Sequence, residues 1–488
     1  MGSRAYVYIC GGLSAIGGLL FGYDIGVISG VLTMPYFREE FPSGPAKEGS
    51  IVSSLLAGCF FGALAAGYLS DKIGRKYSVL VGSAVFIVGG ILQATTSTFI
   101  QMYVGRVIAG LAVGELSMIV PLYQSEISPK EIRGRLVSLQ QWSITIGIAI
   151  SFWIDYGTNQ INSSRQWRIP LWIQIVPAAI LVMGTFFLPF SPRWLVDQDR
   201  DDEAITVLAK LRAGGDRNAA VVQDEYREIK ETVIFERDVA AKSYQELFKV
   251  GPENIRKRVI LGVLIQAFQQ LTGINAIMYY APQIFVNAGL TSSSSKLLAT
   301  GVNGIVNMLS TIPAILWIDR LGRKPTLVSG GLLMGSAMII IGSILGTRGS
   351  VYYDDLLQKH FIHLDSKASS YTVIVFIYIF VASFAYSWGP TGWIYPAEIF
   401  PLRIRGKALA VTTACNWLFN FVIGQVVPIL LDSITWGTYI IFGVFCLIMA
   451  VAVFFFFPET KGISLEEMDN LFGKVKKIKS TGKDEEAA

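Results

Sequence analysis

Asp71-Lys72-Ile73-Gly74-Arg75-Lys76 is echoed 248 residues later by Asp319-Arg320-Leu321-Gly322-Arg323-Lys324. Glu126-Ile127-Ser128-Pro129-Lys130-Glu131-Ile132-Arg133-Gly134-Arg135 is echoed 272 residues later by Glu398-Ile399-Phe400-Pro401-Leu402-Arg403-Ile404-Arg405-Gly406-Lys407. Both offsets are about half the chain, and each copy sits between long apolar runs. Two matches in the same order point to a duplicated set of membrane spans with matching charged loops, the plan of a two-halved secondary transporter.

Composition agrees. Charged residues are 16 %, against roughly 25 % in a soluble domain, and the mean hydropathy is +0.49. Such a chain cannot cover a folded surface with polar groups, so lipid is its solvent. The net charge of +5 is scattered and implies no nucleic acid. Cys10, Cys59, Cys415 and Cys446 lie in or beside apolar runs, without metal-ligand spacing, and read as packing residues.

The hydropathy pattern predicts an all-α membrane protein of twelve spans. They are Tyr6–Met34, Ile51–Leu69, Ser78–Thr95, Phe99–Leu122, Val137–Tyr156, Leu171–Leu188, Val259–Tyr280, Leu297–Ile318, Leu327–Leu345, Tyr371–Tyr395 (broken at Gly389-Pro390-Thr391-Gly392), Ala408–Leu431 and Trp436–Phe457. Residues 1–196 form one six-helix half and 259–458 the other. Residues 197–258 are a linker with short helices, whose apolar faces carry Ile205, Leu208 and Leu211, then Tyr226, Ile229 and Val233. Residues 459–488 are a tail, Lys-rich then acidic, and disordered after Phe472. The short loops after spans 2, 4, 8 and 10 hold the basic residues, so both termini and the linker face the cytosol. Asn162-Ser163-Ser164 is a glycosylation sequon on the outer side. His360-x-x-His363, the only histidines, are too few for a metal site.

An ionisable group inside a span costs about 2.5–3.5 kcal/mol on insertion scales. Asp24 of span 1 and Arg106 of span 4 lie about 15 and 10 Å from the outer membrane face by helical rise, close enough to pair. Two readings stand: a static pair that pins two helices, or a proton site in which the charge of Asp24 depends on Arg106. Glu115, also in span 4, has no assigned role. The remaining intramembrane polar residues are amides: Gln141, Gln269, Gln270, Asn275, Asn303, Asn307, Asn416 and Asn420. An amide donates and accepts without charge. The set suits a neutral, many-hydroxyl ligand, with Trp393 beside the broken span 10 to stack on a sugar ring; interhelical glue is the alternative for any single member. No Walker loop, nucleophile elbow or zinc spacing occurs. An enzyme or ATP-driven pump is therefore not indicated, nor any cofactor, metal or obligate protein partner.

At this point the chain resembles the sugar porters of the major facilitator superfamily, most closely the monosaccharide–proton symporters of fungi and plants. The likeness runs from Gly17 to Gly462. It is carried by Gly22-Tyr23-Asp24-Ile25-Gly26, both Asp-x-x-Gly-Arg-Lys loops, Gly105-Arg106, Gln269-Gln270-x-x-Gly273-x-Asn275-x-x-x-Tyr279-Tyr280 and Pro458-Glu459-Thr460-Lys461-Gly462. The resemblance implies the major facilitator fold and plasma-membrane uptake of a monosaccharide, a hexose such as glucose, with a proton. By that likeness Gln141, Gln269, Gln270, Asn275, Asn307, Trp393 and Asn416 contact the sugar, and Asp24 accepts the proton with Arg106 as partner. Arg75, Glu126, Arg133, Arg323, Glu398, Arg405 and Glu459 would form the cytosolic ion pairs that close the outward-facing state below. Passive facilitation, a polyol or pentose substrate, and a non-transporting sugar sensor are the alternatives; the roughly 30 residues after Pro458 are short for a sensor. Two departures stand out. Phe190 replaces the family's acid in Pro189-Phe190-Ser191-Pro192-Arg193, weakening one half of the latch, and Glu115 replaces a small or apolar residue.

Overall fold

The computed structural model describes residues 3–129, 132–239, 244–248, 254–290, 292–354, 359–401, 404–461, 463 and 468–472. The chain beyond Phe472, for which disorder is expected, lies outside them. In chain order the helices are α1 (Ser3–Val31), α2 (Pro35–Glu40), α3 (Pro45–Ala94), α4 (Phe99–Ile127), α5 (Arg133–Thr158), α6 (Arg165–Ile173), α7 (Ile175–Thr185), α8 (Pro192–Asp197), α9 (Asp201–Arg212) and α10 (Ala220–Val239). They continue with α11 (Ile255–Leu271), α12 (Ile274–Asn287), α13 (Ser293–Leu321), α14 (Arg323–Arg348), α15 (Lys367–Tyr386), α16 (Trp388–Ile399), α17 (Arg405–Ser433), α18 (Gly437–Phe456) and α19 (Met468–Phe472). Among the described residues eleven helical stretches are long and apolar enough to cross a membrane. The longest, α3, reverses at Gly74 (φ +83°) and supplies two spans, so the expected twelve are present.

The turning points follow from residue chemistry. Gly74 and its repeat Gly322 (φ +93°) both adopt a left-handed backbone that a side chain would strain, which is why each basic loop carries its glycine. Span 7 is broken between α11 and α12, where Gly273 (φ +85°) backs onto the Phe442 ring; the sequence pattern gave no sign of this break. Span 10 does break, but at Ser387 (φ −120°, ψ −83°) and not at Gly389–Gly392. Pro390 falls in the first turn of α16, where a missing N–H costs nothing, so the Gly-Pro-Thr-Gly stretch starts a helix rather than ending one. Span 6 passes through Gln174 from α6 to α7 with helical backbone angles (φ −58°, ψ −22°).

α1 packs along α5, the two limbs of α3 along α4, α14 along α15 and α18, and α11 along α17. Between the halves α17 lies on α3 and α13 on α5. The α1–α5 seam is built on glycines four residues apart. Gly18, Gly22, Gly26 and Gly30 meet Gln140, Ile144, Ser151 and Asp155, each so close that a Cβ would lie under 3 Å from the facing residue. This is how helices approach in lipid, where packing substitutes for a hydrophobic drive. α9 and α10 bury the expected faces: Leu208, Leu211 and Val233 are buried, with Ile205, Tyr226 and Ile229 packed beside them. Leu211 also joins Val7 and Cys10 of α1, tying these helices to the bundle. A feature not foreseen is a hairpin, β1 (Gly349–Asp354) paired antiparallel with β2 (Lys359–Leu364), between spans 9 and 10. The cysteines are free thiols, buried except for half-buried Cys415.

A Cβ on Gly22 would lie 1.9 Å from the Ile144 carbonyl oxygen, whereas one on Gly12 meets nothing within 4 Å. Gly22→Val is therefore expected to destabilise the fold by about 1–3 kcal/mol or more by overpacking, and Gly12→Ala to be silent. Thermal unfolding of the purified variants, side by side, checks this.

Candidate functional site

Asp24 and Arg106 meet as expected. The carboxylate Oδ1 is 3.7 Å from a guanidinium nitrogen, and both side chains are 1 % exposed. At that distance the contact is electrostatic rather than a hydrogen bond, and neither Asp24 oxygen has a hydrogen-bond partner among the described residues. Arg106 is oriented by Gln93, whose Oε1 accepts from it at 3.4 Å. Gly105 lets α4 approach closely enough for this: a Cβ there would stand 3.0 Å from Gln93. The field of the pair extends to Tyr279 on α12 of the other half, whose hydroxyl donates to Asn420 Oδ1 at 3.2 Å.

The amides converge beside it. Asn416 of α17 is the hub: its Oδ1 accepts from Gln270 at 3.0 Å, and its Nδ2 donates to Gln266 Oε1 at 2.6 Å and Gln269 Oε1 at 2.8 Å. Asn275 donates to Gln270 Oε1 at 2.7 Å. Gln269 also donates to the Trp388 and Gly389 carbonyls, at 2.9 and 3.0 Å, which the break at Ser387 leaves at the start of α16. Gln141, half-buried on α5, approaches Gly389 from the other half, within 3.5 Å of where a Cβ would lie. Asn307 is buried on α13, and Trp393 is half-buried on α16. Gln266 was not singled out from the sequence. It donates to the Gly392 carbonyl at 3.0 Å and accepts from Asn416. Its place one helical turn before Gln269 and Gln270 was the available signal. Glu115 faces Gly82 of α3, with Oε1 unpartnered among the described residues.

At the basic loops the two repeats build the same contact. Arg75 bonds Glu126 at 3.0 Å, and Arg323 bonds Glu398 at 2.6 Å. Each of these pairs joins two helices of its own half. Glu459 accepts from the Arg323 and Lys324 amides, both at 2.9 Å, capping α14. Where its counterpart would stand, Phe190 stacks on Trp194 (5.4 Å) and lies 5.3 Å from Lys76 Nζ; Trp194 in turn donates to the Asp71 carbonyl. Arg405 donates to the Phe400 carbonyl. The Arg133 side chain lies outside the described residues.

The family model "Sugar (and other) transporter" matches residues 12–472. The chain belongs to this family. A glucose transporter of Aspergillus flavus is 41 % identical over 96 % of this chain and 89 % of its own length. The galactose-proton symporter of Escherichia coli is 36 % identical over 98 % and 97 %. The structure of the proton:xylose symporter XylE bound to 6-bromo-6-deoxy-D-glucose superposes with a TM-score of 0.80 at 29 % identity, over 96 % of this chain and all of that one. The molecule is thus a multi-pass membrane transporter of the major facilitator fold for sugars, not an enzyme.

On the face opposite its basic loops, the transporter joins its halves by contacts that sequence reading missed. Lys359 of β2 pairs with Glu48 of α3, the two side chains 2 % and 4 % exposed, and Arg38 stands 4.0 Å from the same carboxylate. Burial pushes the Lys359 amine below its ordinary range, and the Glu48 carboxylate opposes that shift. Gln425 of α17 accepts from Ser53 at 2.8 Å and donates to the Ala46 carbonyl. His360 is tied to Asp432 through ring and backbone, while His363 faces Asp365, so the two rings serve different acids. Among the described residues no His, Cys, Asp or Glu cluster is arranged to hold a metal.

Gln266→Leu keeps the volume but removes the acceptor for Asn416. Sugar titration of the purified protein is expected to show about tenfold weaker binding, ~1.4 kcal/mol. Unchanged affinity would make Gln266 a packing residue.

Proposed function

We propose that the transporter imports a hexose such as glucose together with a proton across the plasma membrane, by alternating access, with its basic loops and termini in the cytosol. The observation that carries the proton is Asp24: a fully buried carboxylate with one cation beside it and no hydrogen bond among the described residues. Its ionised form depends on Arg106 alone, so any motion that separates the two favours taking a proton. Arg106 keeps its charge throughout and acts only as partner. Tyr279, bonded to Asn420 one helical turn beyond Asn416, lies within the field of this pair, so the proton and the sugar are sensed by neighbouring groups. The relatives named as glucose transporters and as galactose- and xylose-proton symporters support both halves of this reading.

The amides then act as exchangeable partners. Gln269, Gln270, Asn275 and Asn416 satisfy one another in the described arrangement, and a sugar hydroxyl can replace any of these bonds without leaving a buried group unpaired. Gln141, Asn307 and Trp393 complete the lining. With the basic loops inside, the buried Glu48–Lys359 pair closes the outer face, and Arg75, Glu126, Arg133, Arg323, Glu398, Arg405 and Glu459 brace the helices that move at the inner one.

A second reading has support of its own: a high glucose sensor of Saccharomyces cerevisiae is 35 % identical over 94 % of this chain and 60 % of that protein. Radiolabelled hexose uptake in transporter-deficient cells, at two pH values and with competing sugars, separates the two, because a sensor moves no label. In the same assay Asp24→Asn is expected to abolish accumulation against a gradient while sparing sugar exchange; accumulation by this variant would sink the proton role. Lys359→Met leaves the buried Glu48 carboxylate with Arg38 alone, at 4.0 Å, a cost approaching the ~3–5 kcal/mol of a broken buried pair. It is expected to raise thiol labelling of cysteines placed in the outer vestibule, and labelling equal to the parent would remove the pair as a gate.

A further inference from the structure

Asp155 lies near the end of α5 and is 0 % exposed. It is the fourth rung of the α1–α5 seam: a Cβ on Gly30 would fall 2.2 Å from its Oδ2 and 2.5 Å from its Cγ. Neither carboxyl oxygen has a hydrogen-bond partner among the described residues. Its surroundings differ from those of Asp24 in one decisive way. The influences on it are burial and the Gly30 backbone; no Lys, Arg or His is among them. Of the cations on neighbouring elements, Arg168 of α6 is held by Glu40 at 2.6 Å, and Lys296 of α13 is buried in the repulsive field of Arg38; neither forms an ion pair with Asp155 among the described residues. A titratable group that does respond to Asp155 is Tyr23 of α1, which also responds to Asp24.

Gly30 is in the last turn of α1, which ends at Val31. A helix C-terminus presents carbonyl oxygens and the negative end of the helix dipole. An ionised carboxylate there would face like partial charge in a dry site, with the Gly30 backbone as its one favourable influence and no cation among the described residues. A protonated carboxyl has what the site lacks: one O–H to donate to a carbonyl with a spare lone pair. The glycine permits that approach, since any side chain at position 30 would occupy the place of the acid.

We propose that Asp155 is a second proton-binding site. Protonated, it docks on the C-terminal turn of α1; ionised, it leaves that seat and parts the outer end of the α1–α5 seam. The step is binding of one solvent proton to a carboxylate, with no other bond made or broken. Gly30 is six residues beyond Asp24, about 9 Å along the helix. The site therefore stands one to two turns outward of the coupled acid, on the same helix. This deepens the proton-coupled reading without requiring that Asp24 carry the coupled proton.

The test uses the full-length protein, purified and in proteoliposomes. Infrared spectra of the parent at acid pH are expected to contain a protonated-carboxyl stretch that disappears in Asp155→Asn and persists in Asp24→Asn. Sugar exchange, which needs no net proton coupling, is expected to fall in the parent as pH rises and to lose that alkaline limb in Asp155→Asn. Spectra of Asp155→Asn that superimpose on the parent, or an unchanged pH profile, overturn the proposal. Gly30→Ala offers an independent arm should the amide variant fold poorly. It unseats the carboxyl, which then ionises more readily, so the alkaline limb is expected to move to lower pH by about one unit. A limb that stays in place counts against the site. If Asp24→Asn still accumulates sugar while Asp155→Asn loses its band and its limb, the coupling role of Asp24 fails and the second site stands.

Discussion

A charge or amide in hydrocarbon has no water to fall back on. Polar groups in the bundle are placed to find partners in protein, and the Asp24 and Asp155 carboxyls, without a hydrogen bond among the described residues, stand out against that requirement. Arg106 is placed by Gln93 and holds Asp24. Asn416 gathers three glutamines from α11, and Gln269 ties that helix to the Trp388 and Gly389 carbonyls in the first turn of α16. The same demand makes a buried partner exchange an energetic event: whatever replaces one of these bonds must replace it fully. A polyol does so hydroxyl by hydroxyl, and a proton does so by removing the charge itself.

The duplication explains why each half carries the same Arg–Glu contact at its charged loop, and the sequence differences around it show that the two are not equivalent. Gly74 and Gly322 turn the chain at matching places, and each is followed by an arginine that reaches back to a glutamate at the end of a distant helix. Past that point the copies diverge. The second half caps α14 with the Glu459 carboxylate, a charge-assisted contact; the first fills the corresponding place with the Phe190–Trp194 stack under Lys76. A carboxylate cap is directional, while a ring tolerates sliding, so the inner loop of the first half is held by packing and that of the second by aim.

What was legible in the sequence was local or repeated. The basic loops, the lone acid and arginine, the glutamine pair and the apolar faces of α9 and α10 all announce themselves within a turn or two of helix. What was not legible depends on residues far apart. Glu48 and Lys359 are 311 positions apart, and nothing about a glutamate at a helix entrance or a lysine in a loop names the other. The hairpin that carries Lys359 has good strand residues in Val351, Tyr352, Tyr353, Phe361 and Ile362, but they sit in what reads as a connecting loop. The break in span 7 hid because a single glycine in a membrane helix is ordinary, and only the crowding of Gly273 against Phe442 shows why the chain turns there. Asp155 was passed over because it falls at the edge of its span, where an acid looks like the beginning of a loop.

The Glu48–Lys359 pair has a further consequence through its dryness. Mobile ions weaken an exposed ion pair over roughly 8–10 Å at ordinary ionic strength, but they do not enter a site from which water is excluded. The contact on that face is accordingly screened far less by salt than a surface pair. A change in ionic strength therefore bears less on this contact than on exposed pairs such as Arg217–Asp202.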